Sequence, residues 1–191
     1  MKTIFVTIIS LLFFQSDALK ANSHTNSSLT IVKAEIQVNG LTCSMCNLSV
    51  YKALKSLDFI DSIQTQLNSA VYKLSFKPRS IVDPGQLKKQ IESAGFSVGK
   101  LELFFLPINE KIESNTHLSY GDFYFHVLTP PSDVTQEFWK AEIKDKKFIS
   151  AKEFNTIRKG LPAYSCYVTG ITGACCAVGV QASKSIYHLS F

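Results

Sequence analysis

The residues best suited to chemistry are the cysteines at positions 43, 46, 166, 175 and 176. Cys43 and Cys46 form a C-x-x-C pair inside "GLTCSMCNLSVYKALKSL", residues 40–57. A thiolate is both a nucleophile and a soft metal donor. The spacing therefore serves three chemistries: a grip on a soft metal ion, thiol–disulfide exchange, or a structural disulfide. With Cys43 in a loop and Cys46 on the first turn of a helix, both sulfurs can point at one ion. The helix start adds unpaired N–H groups and the positive end of a dipole, which lower thiol pKa and stabilise a bis-thiolate site. Two sulfurs satisfy linear Cu(I) or Hg(II), whereas tetrahedral Zn(II) takes four ligands. Thr42 bears on that choice, because an acidic side chain there would supply an oxygen ligand and favour Zn(II). Met45, between the cysteines, is expected to point outward.

A second cluster lies in "TGITGACCAVG", residues 169–179. If this stretch is an extended strand, Cys175 and Cys176 point to opposite faces and cannot readily chelate one ion. One of them is expected to form a disulfide with Cys166, the other reading being a second soft-metal site that joins Cys175 or Cys176 to His126 or His188. His24 and His117 are assigned no role. Five is an odd number, so at least one cysteine is free, metal-bound or paired between chains.

Hydrophobic periodicity supplies the elements that must position the C-x-x-C pair. In "IVKAEIQV", from Ile31, apolar Val32, Ala34, Ile36 and Val38 alternate with polar residues, as in a strand with one buried face. Cys46, Val50, Leu54 and Leu57 then fall on one stripe of a helix from Ser44 to Leu57, with Gly40 letting the chain leave the strand sharply. Two strands follow, carrying Ile63, Thr65 and Leu67, then Ala70, Tyr72, Leu74 and Phe76, with a tight hairpin at Asn68-Ser69. Asp83 caps a second helix with Pro84 at its first position, Leu87, Ile91 and Ala94 on its buried stripe and Gly95 as its stop. "VGKLELFF" closes the unit with Leu101, Leu103 and Phe105 alternating. The order strand, helix, strand, strand, helix, strand over residues 31–105 is that of a ferredoxin-like βαββαβ domain, with a four-stranded antiparallel sheet and both helices on one face.

The flanks differ in character. Met1-Lys2, the apolar run "TIFVTIISLLFF" and the small residues Ser16 and Ala18 make residues 1–18 a secretory signal peptide by pattern. The apolar run is shorter than the roughly 20 residues that cross a bilayer, so no membrane span is expected after its removal. Residues 19–30 are a polar linker, and export would set the five cysteines in an oxidising compartment. Residues 106–116 form a second linker. Residues 117–191 read mainly as strands: "DFYFHVL", "FWKAEI", "KKFIS", "AYSCYVTGI" and "SIYHLSF", with one helix in "SAKEFNTIRKG" capped by Ser150. They are expected to make a small β-rich domain, a sandwich or an OB-like barrel, so the whole chain is α+β. The net charge of +5 is spread along the chain without a basic run, which argues against a nucleic-acid partner.

Residues 31–105 resemble the heavy-metal-associated domain family. "GLTCSMC" is similar to that family's GMTCxxC motif, and "NLSVYKALKSL", the closing "SAGF" and the βαββαβ order also match. The resemblance implies a soft-metal site, most often for Cu(I), formed by Cys43 and Cys46. It also implies that Leu41, standing where the family has Met, packs under the loop, and that Phe96 forms an apolar wall beside the sulfurs. The remaining half is similar to the β-rich tails of some secreted bacterial proteins that carry this domain. The competing redox family, thioredoxin-like, has Trp before its pair and a later cis-Pro facing it. Here Leu41-Thr42 precede the pair, and no Thr-Pro precedes the last strand of the unit. The expectation is a secreted, periplasmic, non-enzymatic protein that binds Cu(I), with Hg(II) or Zn(II) as alternatives. It would exchange the ion with a metal transporter or another metal-binding protein. The alternative function is a periplasmic thiol–disulfide oxidoreductase using the same pair.

Overall fold

The computed structural model describes residues 29–133, 135–176 and 179–191. The segment expected to be a signal peptide, His24 and most of the expected first linker lie outside the described residues, and Leu29 at that linker's end is already buried. The first six elements are β1 (Ile31–Asn39), α1 (Ser44–Lys55), β2 (Ile60–Gln66), β3 (Val71–Phe76), α2 (Pro84–Ser93) and β4 (Ser97–Phe105). They form the expected ferredoxin-like βαββαβ unit. In β1 the residues Ala34, Ile36 and Val38 are buried, as alternation requires. Ile31 rather than Val32 is buried at its start, because a bulge against β4 between Ile31 and Lys33 shifts the phase. The tight hairpin expected at Asn68-Ser69 is a 3-10 turn over Leu67–Ser69 closed by left-handed Ala70. Val50 and Leu54 of α1 and Leu87 and Ile91 of α2 are fully buried against the sheet. Asp83 caps α2 by accepting a hydrogen bond from the Gly85 N–H at 2.8 Å.

The sequence predicts a separate small β-rich domain over residues 117–191. Instead β5 (His117–Tyr120), β6 (Phe123–Thr129), β7 (Trp139–Ile143) and β8 (Ile186–Ser190) continue the first sheet. The result is one eight-stranded sheet in the order β2-β3-β1-β4-β7-β8-β6-β5. The OB-like barrel is not formed: the sheet is open, with β2 and β5 at its edges. The reason lies in β4, which would otherwise present a row of unpaired backbone groups at the unit's edge. β7 pairs with it antiparallel from Glu102↔Glu142 to Phe105↔Trp139. Charge reinforces this seam. Lys100 and Lys140 approach the Glu102 carboxylate at 2.8 and 3.2 Å, and Lys144 approaches Glu142 at 2.9 Å and Glu153 at 2.8 Å. Burial alone would raise the Glu102 pKa, but hydrogen bonds from Lys100 and Lys140 bring it below its ordinary value.

β6 and β8 pair in parallel, so a long crossover must join them. It carries β7, α3 (Ala151–Gly160) and α4 (Ser165–Thr169). Ser150 caps α3 through the Glu153 N–H, as its sequence indicates. Two expected strands are absent. "KKFIS" is a turn closed by the Phe148 N–H on the Asp145 carbonyl. "AYSCYVTGI" holds the helix α4, in which the adjacent residues Cys166 and Tyr167 are both buried, a pattern that period-two alternation cannot produce.

Candidate metal centre

The C-x-x-C pair sits where β1 leaves the sheet and α1 begins. Gly40 makes the exit at φ +88°, a left-handed conformation that a side chain disfavours. Cys43 is the N-cap of α1, and its sulfur accepts the Cys46 N–H at 3.1 Å. The loop-and-first-turn placement of the two cysteines is therefore as their spacing indicated. The two sulfurs are joined as a disulfide with Cα atoms 5.2 Å apart, so both side chains face one point at the surface. Cys43 is exposed and Cys46 half-buried. Met45 is 67% exposed and turned away from the core. Leu41 is half-buried against the main core, and a Cβ on Gly40 would lie 3.7 Å from the Phe96 ring, which places that ring beside the loop.

The start of α1 is held from below by a residue that patterning assigned only to the core. The hydroxyl of Tyr72, on β3, donates to the Asn47 carbonyl and side-chain oxygens at 3.2 and 3.0 Å, while Asn47 Nδ2 donates to the Cys43 carbonyl at 3.2 Å. No acidic side chain stands in the first turn of α1 to compete for the site's charge.

The heavy-metal-associated domain family model matches residues 35–97, the stretch that contains this loop. Residues 35–97 are a heavy-metal-associated domain. Over 73 residues, 38% of the chain, the sequence is 41% identical to the probable copper-transporting ATPase HMA5 of Arabidopsis thaliana. The chain spans only 7% of that relative's length. Among solved structures, the CopZ metallochaperone is 26% identical and aligns over 35% of this chain and 97% of its own, with a TM-score of 0.32. A copper-binding domain from HMA7, a P-type ATPase, is 29% identical over 38% of this chain and 92% of its own, with a TM-score of 0.33.

Beyond residue 97, His117, His126 and His188 come together, and Cys166 meets His126 and His188 as well as Cys175 and Cys176. His126 pairs across the sheet with His117 on β5 and with His188 on β8. Its ring stacks on His117 at 4.4 Å and meets those of His188 and Tyr164 at 5.1 and 4.9 Å. His126, His188 and Cys166 are all fully buried. Burial, with the imidazoles of His188 and His117 nearby, pushes the His126 pKa down to about 3. The expected disulfide from Cys166 is not formed: Cys166, Cys175 and Cys176 are free thiols. Cys175 and Cys176 lie in a turn rather than a strand, so the geometric objection to their joint use does not apply. Burial would raise the Cys175 thiol, but hydrogen bonds from the Ser165 hydroxyl and the Cys166 N–H bring it down to about 7. Asp145, invisible to motif reading, accepts from the His188 backbone N–H at 2.6 Å and lies 2.7 Å from its Nδ1. No helix among the described residues is long and apolar enough to cross a membrane.

Proposed function

We propose that the protein binds one Cu(I) between Cys43 and Cys46 and passes it, by ligand exchange, to or from a transporter or another metal-binding protein outside the cytosol. The observation that carries this reading is the surface placement of both sulfurs at the mouth of α1 within a heavy-metal-associated domain. The 41% identity over 73 residues to a probable copper-transporting ATPase supports the choice of ion. Two soft donors satisfy linear Cu(I) without a third ligand. A dithiol reductant must first open the disulfide by exchange, giving two thiols as the reductant itself is oxidised to a disulfide; Cu(I) binding then replaces two S–H bonds with two S–Cu bonds and releases two protons. Exposure lets an incoming thiolate reach the ion before the outgoing one leaves, which keeps transfer fast. The reading assigns no catalytic residue.

Anaerobic Cu(I) titration of the reduced protein against a tight chelator tests it. Cys43→Ser and Cys46→Ser are each expected to lower the stoichiometry by one ion relative to the unmodified chain. Unchanged stoichiometry in both variants would sink the proposal. The disulfide also suits thiol–disulfide exchange, which predicts metal-free turnover in an insulin-reduction assay; none is expected. Export is checked by sequencing the N-terminus of protein from the periplasm, where cleavage after Ala18 is expected.

A further inference from the structure

The buried imidazoles of the C-terminal half have polar atoms that no contact explains. Neither ring nitrogen of His126 has a hydrogen-bond partner, nor has His188 Nε2. A buried polar atom left without a partner costs stability. One donor atom from each of His126, His188 and Cys166 lies within 4.8 Å of the others. Asp145 receives the Nδ1–H of His188, which leaves the buried Nε2 with a free lone pair. A carboxylate behind a histidine in this way is the arrangement that orients metal-ligating imidazoles.

We propose that His126, His188 and Cys166 form a second, buried metal centre whose ion is Cu(I). Three donors suffice for Cu(I), whereas Zn(II) takes four. The single negative charge of a Cys166 thiolate cancels that of Cu(I), so the ion and its three ligands carry no net charge, the condition that burial favours. Zn(II) with the same ligands would retain one positive charge. Entry runs through sulfur. Cys166 belongs also to a second triad, in which the sulfurs of Cys166, Cys175 and Cys176 lie within 4.8 Å of one another. Cys175 and Cys176 are half-buried rather than enclosed. An ion held by that triad exchanges Cys175 and Cys176 for the two imidazoles while Cys166 keeps its bond. On loading, the Cys166 S–H bond breaks, its proton passes to solvent and an S–Cu bond forms. No electron is transferred.

The test uses the full chain carrying Cys43→Ser and Cys46→Ser, which separates this site from the one proposed above. Under anaerobic conditions with ascorbate as reductant, this variant is expected to bind one Cu(I) per chain. Its copper X-ray absorption should show imidazole as well as sulfur scattering. Adding His126→Phe, which keeps an aromatic ring against His117 and Tyr164, or Cys166→Ser should abolish that equivalent. Circular dichroism checks that these variants fold; if either does not, the absorption spectrum of the first variant decides alone. Absence of Cu(I) binding, sulfur-only scattering, retention of the ion by the folded His126→Phe variant, or Zn(II) binding that excludes Cu(I) would each overturn the proposal.

Discussion

At the residue scale, the C-x-x-C loop depends on conformations as much as on donors. Gly40→Ala places a Cβ on a backbone at φ +88° and is expected to cost about 1–2 kcal/mol of stability, read by denaturant unfolding. Part of that cost should reach the site as weaker Cu(I) binding, because the strand-to-helix exit aims Cys43. The loop-and-first-turn placement of the cysteine pair, the outward Met45 and the Leu41 packing are legible from spacing and resemblance, since they lie within a few residues of one another. Asp145 was not legible. It meets His188 across 43 residues of sequence, and no periodicity marks a carboxylate as the partner of a distant imidazole.

At the element scale, the seam between β4 and β7 should titrate. The Glu102 carboxyl holds its proton less readily in the folded protein than at its ordinary value of 4.5. Its contribution to stability is therefore complete above that value and is lost as the pH falls below it, through the lower folded value. Thermal unfolding measured from pH 6 to pH 3 should show this loss. Glu102→Gln should flatten it and lower stability at neutral pH by about 0.5–1 kcal/mol, the ordinary worth of partly exposed ion pairs. Most elements could be read from pattern: β1, both helices of the first unit, and the capped α3. The failures were "KKFIS" and α4, whose short apolar runs carry no reliable period. Cys166 and Tyr167 are buried together because α4 covers the histidine face of the sheet, a tertiary circumstance.

At the scale of the whole molecule, the C-terminal half docks on the first unit through β8 as well as β7. The Tyr187 hydroxyl donates to Asp83 Oδ1 at 3.0 Å, the same oxygen that caps α2. A Cβ on Gly85 would collide with that hydroxyl. Gly85→Ala is expected to destabilise the full chain by about 1–3 kcal/mol through overpacking. Tyr187→Phe should relieve part of this, so the two changes should be non-additive in denaturant unfolding. By itself the sequence determined the ferredoxin-like unit, its caps and its sulfur pair, because those rest on local periodicity, turn chemistry and neighbours a few residues apart. Only the tertiary structure decided that β4 would be covered by β7, that the last four strands would extend one open sheet rather than close a barrel, and that His126, His188 and Cys166 would meet. Those outcomes depend on which edge satisfies which backbone groups. The pairing of strands distant in sequence settles that, and it brings side chains together that no local pattern connects.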